Sequence, residues 1–202
     1  MNDGATAPGW EAAAGGIASV LADTTPQLGG NLDIQARLLV GGGGSTGIAI
    51  SANGEVTMAA QPGFSAYSAA DQNNSTGNGD AVTIVYGTEI FDQNGDFDGT
   101  STFTSPVAGR YLFIVETQFL QLASGHVQCV LSLVTPNRTY VQAFNPYASF
   151  DATATYYSPM TMVIADMDAS EAVTFTADVA GGAKTVDIGE GIPTRFSGWL
   201  LG

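Results

Sequence analysis

Short runs of alternating apolar and polar residues, separated by Gly, Asn, Asp and Pro clusters, fill the chain from residue 61 onward. That alternation is the period of the β-strand. Phe64 to Ala69 reads as a first strand, and Asp71-Gln72-Asn73-Asn74-Ser75-Thr76-Gly77-Asn78-Gly79-Asp80 as a polar loop. Val82 to Tyr86 and Thr88 to Phe91 are strands broken at Gly87. Tyr111 to Leu120 is a long strand with Tyr111, Phe113, Val115 and Thr117 on one side and Leu112, Ile114 and Glu116 on the other. Val127 to Val134 and Thr139 to Phe144 follow. Met160 to Ala165 and Ala172 to Val179 read as an antiparallel pair joined by Asp166-Met167-Asp168-Ala169-Ser170, and Arg195 to Leu201 closes the domain. No long stretch keeps a helical period, so the fold class is all-β, an antiparallel sandwich.

The first 60 residues have another texture. Residues 1–22 are rich in Gly and Ala. Pro8 to Leu21 can form a short helix, which Gly15-Gly16 weakens by about 2 kcal/mol relative to Ala. This segment has little apolar mass and is expected to order on a partner. Residues 23–60 are turn-rich, with short extended runs at Leu32-Asp33-Ile34, Leu38-Leu39-Val40, Ile48-Ala49-Ile50 and Val56-Thr57-Met58. Gly41 to Gly44 interrupt them, and Asn53-Gly54 marks a hairpin turn. Strands this short bury little within one chain, but several chains wrapped together can share one apolar axis. The segment 23–60 therefore reads as a short stalk; the alternative is a flexible linker carrying one hairpin. The division is 1–22 attachment segment, 23–60 stalk, 61–202 globular head.

Composition narrows the function. Of 202 residues, 45% are hydrophobic and 12% charged, with 19 Asp and Glu against 5 Lys and Arg and a net charge of -14. No basic cluster exists to contact phosphate, which argues against nucleic acid and anionic membrane as partners. The acidity suits divalent cations or a basic partner, or simply keeps a Gly- and Ala-rich chain soluble. The single Cys129 lies in a strand and reads as a buried thiol. No run approaches the length of a membrane span. The opening Met1-Asn2-Asp3-Gly4 has no basic residue, unlike a secretory signal, so assembly in a cytoplasm is expected.

The head resembles the C1q globular head of the C1q and tumour-necrosis-factor jelly-roll group. The resemblance runs over residues 62–202 and begins at Pro62-Gly63-Phe64-Ser65-Ala66-Tyr67. It continues through Phe91-Asp92-Gln93-Asn94-Gly95-Asp96-Phe97-Asp98 and Phe103-Thr104-Ser105-Pro106-Val107-Ala108-Gly109-Arg110-Tyr111-Leu112-Phe113. It ends at Phe196-Ser197-Gly198-Trp199-Leu200-Leu201. The resemblance implies a ten-stranded jelly roll that assembles as a homotrimer, binds proteins or glycans and carries no catalytic residues. A collagen-like stalk is not seen in the sequence, which has no Gly-x-y repeat and only 8 prolines. Asp23-Thr24-Thr25-Pro26-Gln27-Leu28-Gly29-Gly30-Asn31-Leu32-Asp33 and the Gly47-to-Met58 stretch resemble bacteriophage tail and fibre proteins. Together they imply a virion fibre, assembled in a host cytoplasm, that attaches to other virion proteins through residues 1–30 and binds a host-surface receptor. Two alternatives are a capsid-decorating protein without a receptor and a cellular C1q-like lectin.

Several side chains are singled out. Phe91, Phe103, Tyr111, Phe113, Phe196 and Trp199 are expected in the core or at the trimer interface. Pro106 fixes the approach to the long strand, Gly109 is expected at φ > 0 in a turn, and Gly198 to admit a neighbouring strand. Tyr140, Phe144, Tyr147, Phe150, Tyr156 and Tyr157 are candidate receptor contacts, since aromatic rings stack on sugars and anchor interfaces. Asn73 and Asn74 in the polar loop are further candidates. Asp92, Asn94, Asp96 and Asp98 alternate as in a calcium loop but lack the bidentate Glu at its twelfth position. Asp166, Asp168, Glu171 and Asp187 are other cation candidates, and three copies of the single His126 can meet on an axis. No Gly-x-Ser-x-Gly, His-Glu-x-x-His or phosphate-loop signature occurs, so no enzyme is expected.

Overall fold

The computed structural model describes residues 38–40, 47–148 and 156–202. The expectations for residues 1–37, including the Pro8–Leu21 helix and the attachment role, and the placement of Phe150 lie outside the described residues.

Strands β1 (Leu38–Val40), β2 (Gly47–Ile50) and β3 (Val56–Met58) form a small antiparallel sheet in that order. The β2–β3 hairpin turns at Asn53-Gly54, as its sequence predicts. Ser51 N–H donates to Glu55 O, Gly54 N–H donates to Ser51 O, and Gly54 sits at φ +91°.

The head follows with β4 (Gly63–Ser68), β5 (Gln72–Thr76), β6 (Val82–Thr83), β7 (Thr88–Asp92), β8 (Phe103–Thr104), β9 (Gly109–Glu116) and β10 (Phe119–Leu120). Then come β11 (Gln128–Val134), β12 (Thr139–Phe144), a 3-10 turn at Pro146–Ala148, β13 (Met160–Met167), β14 (Ala172–Ala180), β15 (Val186–Ile188) and β16 (Gly191–Leu200). One five-stranded sheet has the order β13-β9-β16-β4-β7. The opposing sheet runs β12-β11-β14-β6 with β8 also on β14, and a small sheet runs β10-β15-β5. All pairings are antiparallel. The head is thus an all-β sandwich of antiparallel strands.

The inward residues of the first sheet line up in rows. One row reads Val163, Phe113, Gly198, Phe64, Asp92 across β13, β9, β16, β4 and β7. Gly198 therefore stands between two phenylalanines. A Cβ there would lie 2.7 Å from both Phe113 Cδ1 and Phe64 Cε1. Phe64 stacks on Phe103 at 4.8 Å and on Phe97 at 5.0 Å, and meets Phe196 edge-on at 4.9 Å. Phe103, Tyr111, Phe113 and Phe196 are all fully buried, as expected, and Cys129 is buried among the aliphatic residues of β11 and β14.

Four expectations change. First, β13 and β14 do not pair. β13 pairs with β9 from Met160↔Glu116 to Met167↔Gly109, while β14 pairs with β11 in the other sheet. The joining loop crosses the sandwich and is held by Ser105, whose hydroxyl donates to Asp168 O and Glu171 O and accepts Glu171 N–H. Second, the polar 70–80 loop contains β5. Its buried Thr76 donates to Asp80 O and accepts Val179 N–H, so polar side chains complete a strand without apolar alternation. Third, the long strand breaks after Glu116. Gln118 N–H is taken by Thr194 Oγ1 and the chain switches from β16 to β15, so long strands divide and the described head shows thirteen segments, β4 to β16, rather than ten. Fourth, Gly109 is not among the positive-φ glycines; its place in β9 gives clearance to Leu200, whose Cδ1 would lie 2.7 Å from a Cβ.

Gly198→Ala is expected to force the two rings apart and destabilise the head by about 1–3 kcal/mol, read as a lower urea midpoint at unchanged slope. Tyr86 is buried and its hydroxyl has no hydrogen-bond partner. Tyr86→Phe is therefore expected to hold or raise the midpoint, by up to about 1 kcal/mol, in the same measurement.

Candidate binding face

Alternation that buries one row exposes the next. The outward rows of the first sheet read Met162, Ile114, Ser197, Ser65, Phe91 and Ile164, Leu112, Trp199, Gly63. Met160, Met162 and Ile164 on the edge strand β13 are 51%, 60% and 59% exposed. Trp199 lies against Gly63 and near Phe91, ring centroids 6.4 Å apart. Phe91 and Trp199 are thus on this outer face rather than in the core. At its centre Ser65 and Ser197 satisfy each other at 2.8 Å, and at one end Arg195 pairs with Glu116 at 3.3 Å. The face is apolar along two rows and its central polar groups are internally matched.

Beside β13 the sandwich opens into a groove of about 730 Å³ between the edges of the two sheets. Tyr140, Val141 and Gln142 of β12 line one wall, and Met160, Met162 and Ile164 the other. Thr161 Oγ1 and Gln142 Oε1 bridge the two walls by a hydrogen bond. The sequence carries a signal for this surface that alternation counting passes over. Met160-Thr161-Met162-Val163-Ile164-Ala165 is apolar on both faces, whereas a strand with one solvated face alternates.

The proposed aromatic contacts separate into two kinds. Tyr140 is half-buried beneath the Arg138 guanidinium, 5.9 Å from its ring centre. Phe144 and Tyr157 pack on each other at 5.0 Å and against the core. Tyr147 and Tyr156 are 67% and 69% exposed. Asn73 and Asn74 are exposed, with Asn74 at φ +50° and its N–H bound to Asp187 Oδ1 at 2.6 Å.

The acidic loop is organised around its own backbone. Asp92 accepts the N–H groups of Gly95, Asp96 and Phe97, and Asp98 those of Thr100, Ser101 and Thr102. Asn94 donates to Ala60 O. Asp96 is pushed up by burial, opposed by its bond to Asn94 and reinforced by the charge of Asp92. Asp92 and Asp98 are thus engaged with the loop's own backbone, Asn94 reaches out of the loop to Ala60, and Asp96 keeps one buried oxygen without a hydrogen-bond partner. Asp187 is buried between Asn74 N–H and Gln121 Nε2, and Glu171 accepts Asp168 N–H. Among the described residues no group of three or more His, Cys, Asp or Glu is placed to hold a metal ion. His126 is buried, its Nδ1 accepting Ala123 N–H at 3.0 Å.

No family model and no curated protein matches this chain. Among solved structures it is similar to the globular domain of zebrafish complement 1qA protein, at 17% identity and a TM-score of 0.47, over 70% of this chain and 98% of that one. It is also similar to murine APRIL, at 11% identity and a TM-score of 0.46, over 68% of this chain and 96% of that one. The expected description as a viral, virion-borne tail fibre for host attachment is corrected here, because these similar structures are proteins of a fish and a mouse and not of a virion.

Asp98 is held below the usual carboxylate range: burial opposes its charge, but the N–H groups of Thr102, Ser101 and Thr100 outweigh it. A depressed folded value means stability present above the unfolded pKa and lost as pH falls through the folded one. Asp98→Ala is expected to cost about 1 kcal/mol at pH ~7, as the loss of a capping carboxylate does. The difference from wild type should shrink on titration below pH ~3, followed by urea unfolding.

Proposed function

We propose that residues 61–202 form a non-catalytic binding head that assembles as a homotrimer and contacts a protein or glycan partner through exposed aromatic side chains. The observation that carries this reading is the pair of outward rows that begin at Met162 and Ile164 on the edge strand β13. Such a contiguous apolar surface, bordered by a matched ion pair, has the make-up of an interface. Two unlike surfaces meet at β13, the apolar sheet face and the groove beside Val141, whose lining mixes polar and apolar side chains. A face that receives a different edge generates a head-to-tail ring rather than a two-fold dimer, and the C1q-like sequence pattern implies three members.

The non-catalytic part is supported by the state of the groups a hydrolase needs. His126 is buried with Nδ1 already bonded. Cys129 is buried, and burial, reinforced by the charge of Asp178, pushes its thiol far above its ordinary range. Neither serves as an accessible base or nucleophile. Among the described residues Tyr147 and Tyr156 are the most exposed aromatics and lie outside the two outward rows.

Light scattering on the eluting full-length chain is expected to give three chain masses, and Ile164→Asp one. Placing an unpaired carboxylate in such a contact costs about 3–5 kcal/mol. A wild-type chain that elutes with a single chain mass sinks the reading.

A further inference from the structure

Within the sheet of β1, β2 and β3 the β2–β3 hairpin has two unlike faces. Ile48 stands opposite Met58 and Ile50 opposite Val56, so these four side chains share one face. Ala49 and Thr57 stand on the other. The four apolar side chains are 40%, 43%, 39% and 60% exposed in the order Ile48, Met58, Ile50, Val56. A sheet of three short strands with its apolar face open is marginal in water. We propose that this sheet is one side of a three-sided prism, its apolar face buried against the same face of two further copies of the chain.

The proposal rests on the homotrimeric reading of the head and adds a second, separate contact to it. The sheet is tied to the head rather than tethered loosely. Gln93 Nε2 donates to Met58 O at 2.7 Å, Asn94 Nδ2 to Ala60 O at 3.0 Å, and Gln61 Nε2 to Leu200 O at 3.0 Å. The last of these bonds falls next to Trp199, on the strand that carries the head's outward apolar row. The stalk sheet is thus fixed to the head at two places, the loop that follows β7 and the end of β16. Four side chains per copy are too few to hold free chains together. Once the heads are joined, the three sheets are held at high effective concentration, and a small apolar contact suffices. The acidic charge of the chain does not oppose it, because the face itself carries no charged residue.

The test uses the full-length chain with Ile50→Cys and, separately, Thr57→Cys on the opposite face, each treated with a short bis-maleimide. The native Cys129 is buried and stays unmodified. Coupling between chains is expected at position 50 at least about tenfold faster than at 57, as effective concentration on the shared face dictates. Three chain masses with no coupling at 50, or equal coupling at both positions, overturn the prism and leave the head reading intact; cover of the face by the chain's own residues 1–37 gives this result. A single chain mass overturns both.

Discussion

The rest of the head depends on the clearance at Gly198. β16 is the central strand of its sheet and pairs with β9 on one side and β4 on the other. With no Cβ at 198, Phe113 and Phe64 lean together over its backbone from both neighbours. Phe64 in turn stacks on Phe103 and Phe97, and Phe196 closes the cluster against Phe113 and Tyr86. Each such ring pair adds about 0.5–1.5 kcal/mol beyond burial. A single side chain at 198 displaces two neighbouring strands at once, because both rings that it meets belong to the strands that β16 pairs with.

The same register that closes the core opens the outer face. If Gly198 points in, Ser197 and Trp199 must point out, and every residue opposite them follows. Ile114 and Met162 continue the row of Ser197; Leu112 and Ile164 continue that of Trp199. These apolar side chains do not contribute to the monomer's core. The Ser65–Ser197 hydrogen bond removes the main polar penalty for covering them. Core and proposed interface are two consequences of one register.

Much of this was legible in the residues. Tyr111, Phe113 and Val115 announced the inward side of β9 by simple alternation, and Asn53-Gly54 the β2–β3 hairpin. Gly198 between Phe196 and Trp199 pointed to close approach, and the reason proved to be two rings rather than a neighbouring backbone. The pairing of β13 and β14 was misread because a short acidic connection looks the same whether it turns back within a sheet or crosses to the other. What decides it is Ser105, sixty-three residues from Asp168 in sequence. β5 was hidden for a related reason: Val179 and Asp187, from distant segments, bond to Thr76 and Asn74 in a way that no local pattern encodes. The Asp92–Asp98 spacing matched a calcium loop because Asp and Asn at alternate positions also fold a tight turn onto its own N–H groups. Spacing alone does not separate those two uses.

The charge of the chain completes the argument. Association of copies that each carry a formal charge of -14 is opposed by mutual repulsion, so an associating surface must keep its carboxylates elsewhere or neutralised. Asp92 and Asp98 are turned onto their own loop, Asp187 is buried between two donors, and Glu116 at the end of the outward rows is paired with Arg195. Other charges, among them Asp166 in β13 and Glu89 in β7, lie outside the two outward rows, and repulsion between copies is screened beyond about 8 Å at physiological ionic strength. Acidity therefore does not specify contacts between copies. In the proposed assembly those contacts follow from where the pleat places Met162, Ile164 and Trp199.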